Sequence, residues 1–312
     1  MSEKILVSPS SFGTCGEEPL KLLKEKNYEV ILNPYGRRLT AEETIELGKE
    51  CIGIVAGVEP LNKKVLSSMS SLRCISRVGT GIQNIDLEYA KKQGIVIRNT
   101  PYGPTRAVAE LTIGLIFDVL RKISLRDRKM RECIWEKKMG QLLMGKKIGI
   151  IGLGKIGKKT AELLKFFDVE IYCYDIYPDE KWIKENNVKI LDLNELMKKS
   201  DIVTVHVPPQ KDKKPLIGEN ELKNMRKEAY LVNVSRGGVI DEKALYGILE
   251  KNQIAGAAID VFLDEPYNGP FLKLDNVVLT PHIGSYAKEA RLDMESEAVN
   301  NLLEVIEKNK NL

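Results

Sequence analysis

The sequence is poor in the residues that build metal centres and disulfide frameworks. It contains only two histidines, His206 and His282, and its five cysteines are scattered and form no Cys-x-x-Cys pair. An odd number of widely spaced cysteines is typical of a reducing compartment, and no group of His and Cys residues has the spacing of metal ligands. We therefore expect neither a metal site nor a disulfide framework.

Long hydrophobic runs and a strong charge imbalance are also missing. No apolar stretch reaches the length of about 18 residues that indicates a membrane span, and the N-terminus lacks a signal-peptide pattern. The 48 Lys and Arg nearly balance the 44 Asp and Glu, which leaves a formal charge of +4. This charge gives no reason to expect a nucleic-acid or membrane partner, although it is compatible with a small anionic substrate. We expect a cytoplasmic protein.

The chain does contain a repeated alternation of short apolar runs and helix-like stretches. Because parallel strands need crossover connections, this alternation predicts parallel sheets covered by helices. In the first hundred residues, strands are predicted at 5–7, 29–32, 53–56, 74–78 and 95–97, and helices at 19–26, 41–50, 63–68 and 87–93. A second series has strands near 148–151, 170–174, 202–207, 231–234, 255–259 and 277–279, and helices at 156–167, 194–199 and 244–251.

Two long helical stretches lie outside these series. The first, 105–131, carries an apolar stripe between the two series, and its basic second half is interpreted as a solvated face. The second, about 287–308, follows the last strand and has no strand of its own to accompany it. It is expected either to cap the second unit or to fold back onto the first.

Residues 152–157 read Gly-Leu-Gly-Lys-Ile-Gly, a G-x-G-x-x-G motif in the setting of dinucleotide binding. A strand precedes it, a helix follows, and the next strand ends at Asp175, 18 residues after Gly157. The glycines permit a tight turn and a close backbone approach to phosphates, which the helix N-terminus favours. Asp175 would accept hydrogen bonds from the adenosine ribose and repel a 2′-phosphate. The motif therefore predicts NAD rather than NADP.

Three further polar segments, 233–238, 260–266 and 280–284, each follow the end of a predicted strand. Ligands of open parallel sheets bind at this edge. His282 is a candidate general acid and base, because a histidine ordinarily titrates near neutral pH. Glu265 would orient its ring and stabilise its cation. Arg236 would clamp a substrate carboxylate and polarise a 2-oxo group.

Together these motifs resemble the D-isomer-specific 2-hydroxyacid dehydrogenases, and within them the phosphoglycerate dehydrogenase-like branch. Further matches are Arg-Val-Gly-Thr-Gly at 77–81, Asn-Ile-Asp at 84–86, Val-Ala-Glu-Leu-Thr at 108–112 and Trp135. The resemblance spans nearly the whole chain. It implies hydride transfer between NAD and a small D-2-hydroxy or 2-oxo acid. It also implies two doubly wound parallel-sheet α/β domains, with a Rossmann NAD-binding domain (101–286) inserted into a flavodoxin-like substrate domain (1–100 and 287–312).

The resemblance also assigns residues to roles. The implied catalytic residues are Arg236, Glu265 and His282. The implied cofactor residues are Thr80, Gly152, Gly154, Lys155, Ile156, Gly157, Asp175, Val207, Pro208, Val234 and Asp260, the last at the carboxamide. The implied substrate ligands are the backbone N–H groups of Val78 and Gly79, with Arg236 and His282. His206, beside the cofactor loop, is interpreted as structural, and the helix from residue 105 resembles the family's dimerisation element, so a homodimer is expected.

Two departures from the family pattern concern the substrate. Where many phosphoglycerate dehydrogenases carry Arg-Ser, this chain has Ala-Gly-Val-Glu at 56–59, and Glu59 is expected to repel a phosphate. Gln83 also replaces a common Asp, while Arg77 could still supply a cation. A phosphoglycerate dehydrogenase-like activity is the first hypothesis. The alternatives are a glyoxylate or hydroxypyruvate reductase, or another D-2-hydroxyacid dehydrogenase, and, outside enzymes, an NAD-sensing binding protein similar to the family's corepressors.

Overall fold

The computed structural model describes residues 2–308, which form two compact units. One unit comprises the described residues up to Pro104 together with those from Ser285 onward, and the other comprises Thr105–Gly284. The first unit is therefore discontinuous in sequence, and the second is inserted within it.

The first unit is built on a five-stranded parallel sheet in the order β2-β1-β3-β4-β5. This is the flavodoxin-like order, in which the chain switches direction across the sheet after its first two strands. The predicted fold class is thus confirmed for this unit. Its strands are β1 (Lys4–Val7), β2 (Glu29–Leu32), β3 (Cys51–Ala56), β4 (Cys74–Arg77) and β5 (Val96–Asn99).

Helices cover both faces of this sheet. Leu66 and Ala90 pack with Ile54 on one face, whereas Leu302 and Ile306 pack with Val55 on the other. Side-chain caps begin three of the helices, which is why they start where they do. The helices are α1 (Glu18–Glu25), α2 (Ala41–Gly48), α3 (Lys63–Ser67), α4 (Leu87–Lys92) and the C-terminal helix (Lys288–Lys308). The C-terminal helix thus folds back onto the first unit, one of its two expected positions.

The second unit contains a seven-stranded parallel sheet in the order β12-β11-β10-β9-β6-β7-β8. Its first six strands along the chain, β6 to β11, follow the Rossmann order, and the switch point lies between β6 and β9. The strands are β6 (Lys147–Ile151), β7 (Glu170–Tyr174), β8 (Lys189–Ile190), β9 (Ile202–Val205), β10 (Tyr230–Asn233), β11 (Gly256–Ile259) and β12 (Val277–Leu279). β9, β10 and β11 are buried along their whole length, as expected for central parallel strands.

The helices of this unit also lie on both faces of its sheet. Buried apolar residues of α5, α7 and α8 contribute to one core, and those of α9, α10 and α11 contribute to the other. The helices are α5 (Pro104–Arg121), α6 (Ile123–Arg131), α7 (Lys155–Leu164), α8 (Glu180–Glu185), α9 (Leu193–Lys199), α10 (Glu219–Lys223) and α11 (Glu242–Glu250). Two short 3-10 helices, Lys165–Phe167 and Pro270–Lys273, complete the unit. β8, α8 and α10 were not predicted.

The prediction of one uninterrupted helix over 105–131 is wrong, because the structure has two helices there. The helix breaks at Lys122, whose φ of 56° lies in the left-handed region that ends an α-helix. Asp118 accepts the backbone N–H of Ser124 at 2.9 Å across the break. α6 contains no buried residue. Within residues 2–308, no helix has the length and apolar character needed to cross a bilayer.

Candidate active site

The glycine motif lies on a tight turn between β6 and α7. Gly152 has a φ of 93°, which favours glycine, and its N–H donates to the carbonyl of Tyr174 at 2.8 Å. A Cβ on Gly157 would lie 2.0 Å from the carbonyl oxygen of Gly152, so only glycine allows the helix to approach this closely. At Gly154, no described atom lies within 4 Å of a Cβ position. The turn therefore leaves an open cradle before the N-terminus of α7, where Lys155 and Ile156 begin the helix.

Asp175, directly after β7, fastens this turn. One carboxylate oxygen accepts the N–H of Leu153 at 2.6 Å, and the other accepts the N–H of Tyr177 at 2.8 Å. Its position beside the cradle fits the ribose of a dinucleotide, as the motif predicts. The cradle and this carboxylate suit NAD, which when bound would supply or accept the hydride. In this unit Asp175 is a binding candidate and also a backbone anchor.

The loop after β9 lies against the same turn. A Cβ on Gly152 would lie 2.5 Å from a methyl group of Val207, the residue before Pro208. The neighbouring His206 ring faces Thr204, with 3.0 Å between Nε2 and Oγ1, and burial lowers its pKa to about 3. Among residues 2–308 its buried Nδ1 has no hydrogen-bond partner. A neutral, enclosed ring agrees with the structural interpretation of His206.

His282 and Glu265 form a hydrogen-bonded pair. Nδ1 of His282 lies 2.8 Å from Oε2 and 3.1 Å from Oε1 of Glu265. An ionised carboxylate only accepts hydrogen bonds, so Nδ1 carries the proton and Nε2 of a neutral ring is left as the acceptor. About two fifths of each side chain is exposed, 43% for His282 and 37% for Glu265. The pair can therefore exchange a proton with a ligand through Nε2.

Asp260 holds the backbone on both sides of His282. This buried carboxylate accepts the hydroxyl of Thr280 at 2.7 Å, the N–H of Ile283 at 2.8 Å and the N–H of Gly284 at 3.0 Å. His282 itself has a left-handed φ of 55°, an uncommon conformation for a non-glycine residue that the surrounding bonds must maintain. The resemblance assigns Asp260 to the cofactor. In the structure it also holds the His282 loop, a contact that no sequence motif indicates.

Arg236 follows β10, in a turn formed by Asn233. The Asn233 side-chain oxygen accepts the N–H of Ser235 at 3.1 Å and its hydroxyl at 2.8 Å. The Arg236 guanidinium donates to the carbonyl of Ser235 at 2.6 Å. Burial lowers the pKa of Arg236, and the nearby charge of Glu265 offsets only part of this effect. Val234, predicted beside the nicotinamide, is buried at the same strand end.

The second unit thus gathers most of the predicted site at one edge of one sheet. Gly152, Val207, Arg236, Glu265 and His282 follow the carboxyl ends of β6, β9, β10, β11 and β12, which are five adjacent strands. Open parallel sheets bind their ligands at this edge. A cofactor at the glycine turn, the Arg236 cation and the His282 ring could therefore act together at this edge.

The remaining predicted residues, Val78, Gly79 and Thr80, lie in the first unit after β4. The N–H of Val78 donates to the carbonyl of Ala56 at 2.9 Å, and that of Gly79 to the hydroxyl of Thr100 at 2.6 Å. The Thr80 carbonyl accepts the side-chain amide of Asn99 at 2.8 Å. The two N–H groups assigned to a substrate carboxylate therefore already have acceptors inside the unit.

The expected position of Glu59 needs correction. Its carboxyl group is buried, with the Ser8 hydroxyl 2.5 Å from one oxygen and the N–H of Gly57 3.0 Å from the other. Burial raises its pKa. The side chain points into the unit and fastens its own loop, so direct repulsion of a phosphate by an exposed Glu59 carboxylate is not its role.

The sequence alone assigned no role to Glu242, the first residue of α11. Its carboxylate accepts the N–H of Leu263 at 2.6 Å. Burial and the charges of neighbouring acidic residues, Glu265 among them, raise its pKa. The contact joins residues 21 positions apart, so no local sequence pattern indicates it.

Comparison with known proteins agrees with this geometry. A family model described as D-isomer specific 2-hydroxyacid dehydrogenase, NAD binding domain, matches residues 113–284. A glyoxylate reductase from Thermofilum pendens is 43% identical over 259 residues, covering 80% of this chain and 76% of that protein. A D-3-phosphoglycerate dehydrogenase from Archaeoglobus fulgidus is 36% identical over 283 residues, covering 89% and 53%, so the chain spans about half the length of that relative.

The fold has close counterparts among solved structures. The TT0316 protein from Thermus thermophilus superposes with a TM-score of 0.90 at 30% identity, covering 98% of this chain and 97% of that one. The family model alone covers more than half of the chain, and the glycine motif and all three candidate catalytic residues fall within it. The chain therefore belongs to the D-isomer-specific 2-hydroxyacid dehydrogenases, a family of oxidoreductases that use NAD.

Proposed function

We propose that this dehydrogenase reduces a small, unphosphorylated 2-oxo acid such as glyoxylate or hydroxypyruvate, with Arg236, Glu265 and His282 as its catalytic residues. The observation that carries the catalytic proposal is the hydrogen-bonded pair of His282 and Glu265 at the ligand-binding edge of the second unit. A histidine whose Nδ1 is held by a carboxylate has a free Nε2 for proton transfer.

His282 would act as the proton donor during reduction. As the 2-oxo group becomes a hydroxyl, Nε2 delivers the proton, and in the reverse direction the same atom removes it. Glu265 fixes the ring orientation and stabilises the imidazolium that precedes each donation. Asp260 supports this arrangement by holding the loop on both sides of His282.

Arg236 would bind and polarise the substrate. Its planar guanidinium can donate two parallel hydrogen bonds to a carboxylate, and a further N–H can reach the adjacent 2-oxo group. Because the side chain is partly buried, its charge is screened less than on an open surface. The turn made by Asn233 holds the backbone from which it projects.

The substrate proposal rests on the loop after β3. Residues 56–59, Ala-Gly-Val-Glu, offer no cation for a phosphate, although the inward-facing Glu59 does not repel one either. The glyoxylate reductase from Thermofilum pendens, 43% identical to this chain, is consistent with an unphosphorylated acid.

Phosphohydroxypyruvate is the second candidate, and Arg77 is the observation that favours it. Its NH1 would lie 2.5 Å from a Cβ on Gly79, so its guanidinium packs against the loop that the resemblance assigns to the substrate. A relative named D-3-phosphoglycerate dehydrogenase supports the same alternative.

The test is NADH oxidation by the full chain with glyoxylate, hydroxypyruvate, phosphohydroxypyruvate, pyruvate and 2-oxoglutarate. Turnover of the first two well above the phosphorylated acid supports the proposal. A preference for phosphohydroxypyruvate overturns the substrate assignment and favours Arg77 as the cation for its phosphate. NADH binding without turnover of any acid would favour the NAD-sensing alternative instead.

We also propose that the protein is a cytoplasmic homodimer. The stretch from α6 to the start of β6 exposes several large apolar side chains, among them Trp135 at 76% and Met139 at 96%. Several exposed apolar side chains on one segment are typical of an interaction surface. A second copy of the chain is the proposed occupant, in agreement with the dimerisation role that the resemblance gives to the helix from residue 105.

A further inference from the structure

The loops that carry Arg236 and Glu265 meet at one peptide bond, between Phe262 and Leu263. A Cβ on Gly237 would lie 2.0 Å from the carbonyl oxygen of Phe262 and 2.5 Å from the nitrogen of Leu263. The residue next to Arg236 therefore packs directly against this peptide. The contact is possible because β10 and β11 are neighbours, with Asn233 paired to Ile259.

The same segment is bonded to Glu265. The N–H of Phe262 donates to Oε1 of Glu265 at 3.0 Å, on the carboxylate that also receives Nδ1 of His282. A displacement of this segment would therefore change the direction of the Glu265 carboxylate. The His282 ring, which is held by this carboxylate, would then be reoriented as well.

Glu242 provides the third contact to the segment. Its Oε1 accepts the N–H of Leu263 at 2.6 Å, although Leu263 itself is exposed. Glu242 is the first residue of α11, whose start is fixed by Asp241 accepting the N–H of Ala244 at 3.0 Å. The bond thus connects an exposed loop to a helix that is itself anchored.

We propose that Glu242 is a positioning residue that holds the Phe262–Leu263 peptide against Gly237 and so sets the distance between the Arg236 and Glu265 loops. The inference rests on the catalytic roles proposed above for Arg236, Glu265 and His282. Glu242 acts through Leu263 and has no direct role in proton or hydride transfer. Its oxygen is needed as an acceptor, so glutamine can replace it.

The first experiment compares Glu242→Ala, Glu242→Gln and wild type in steady-state reduction of the best 2-oxo acid. Because misplaced catalytic groups cost about 100-fold per ångström, we expect Glu242→Ala to lower kcat by about 10- to 100-fold. KM for NADH should change by no more than about twofold, since the cradle of the glycine motif is untouched. Glu242→Gln should recover most of the lost kcat, because its amide oxygen still accepts the Leu263 N–H.

Glu219→Ala is the matched control. Glu219 also begins a helix of the second unit, but its carboxylate pairs with Lys223 of its own helix at 2.7 Å. A general loss of helix stability would lower the melting temperature of both alanine variants without a selective fall in kcat. Full kcat in Glu242→Ala would overturn the inference and leave the proposed function intact. A loss of kcat in Glu242→Gln as large as in Glu242→Ala would also overturn the inference.

A second measurement does not depend on turnover. Hydrogen exchange of a peptide containing Leu263 should be faster in Glu242→Ala than in wild type, and unchanged in Glu242→Gln. If wild type reduces no acid, the proposed function fails and exchange alone decides the contact. Equal exchange in wild type and Glu242→Ala overturns the inference.

Discussion

Nδ1 of His282 lies within hydrogen-bonding distance of both carboxylate oxygens of Glu265, 2.8 Å from Oε2 and 3.1 Å from Oε1. The two residues are 17 positions apart and follow neighbouring strands, β12 and β11. Their contact leaves Nε2 for the proton transfer proposed above.

Replacement of this ring should remove the chemistry and spare cofactor binding. We expect His282→Ala to lower kcat by at least about 100-fold, the usual contribution of general acid–base catalysis. NADH affinity, measured by quenching of protein fluorescence, should change only modestly because the glycine cradle lies four strands away in the sheet order. Turnover at the wild-type level would contradict the acid–base assignment.

Asp175→Ala should weaken the preference for NADH over NADPH. The substitution removes the charge that would repel a 2′-phosphate. It also frees the N–H groups of Leu153 and Tyr177, so kcat/KM with NADH should fall at the same time. The measurement is the ratio of kcat/KM for the two cofactors, and an unchanged ratio would show that Asp175 does not select between them.

Gly237→Ala should move apart the loops that carry Arg236 and Glu265. The added Cβ would collide with the carbonyl of Phe262, so the peptide must move and kcat should fall by about 10-fold or more. The matched control is Gly247→Ala in α11, where no described atom lies within 4 Å of the new Cβ. Alanine there should keep full activity and raise the free energy of unfolding by about 0.5–1 kcal/mol. Equal activity of the two variants would contradict the close approach at Gly237.

His206 should make the protein sensitive to acid. Its pKa is about 3 in the folded protein, below the ordinary value of 6.5, so the unfolded chain binds a proton that the folded chain excludes between these values. Its contribution to stability is full above pH 6.5 and is lost as pH falls towards 3, by at most about 1.4 kcal/mol per unit. His206→Gln should show a shallower fall of melting temperature over this range and an unchanged slope above pH 7. The same slope below pH 6 in both proteins would show that the ring is not excluded from protonation.

Trp135→Glu should dissociate the proposed dimer, because it places a charge on the exposed apolar stretch after α6. Light scattering on a sizing column should give half the wild-type mass. Phe166→Glu is the control, since Phe166 is 84% exposed on the short helix Lys165–Phe167. A wild-type protein that is a monomer at all concentrations would contradict the proposal.

Much of the fold and the candidate site could be predicted because its signals are local. The glycine turn, the acid at the end of β7 and the alternation of strands and helices each depend on residues close together in sequence. The orientation of Glu59 could not be predicted, because it depends on Ser8, 51 positions earlier and adjacent only once β1 and β3 pair. The contact of Glu242 with Leu263 likewise requires the parallel pairing of β10 and β11.

The break at Lys122 shows a different limit. The apolar stripe of α5 and the basic run of α6 both follow helical periodicity, so no local pattern interrupts the helix. A single residue in the left-handed region is enough to redirect the chain, and lysine is not a residue that marks such a position.

The C-terminal helix completes a core that the first hundred residues leave open. Leu302, Val305 and Ile306 pack with Ile5 and Val55 on the face of the sheet opposite α2, α3 and α4. During synthesis, all strands of the first unit emerge before that helix, whereas the whole of the second unit is available earlier than residue 288. The inserted unit can therefore fold while part of an apolar sheet face of the surrounding unit is still exposed, and transiently exposed apolar surface of this kind favours aggregation.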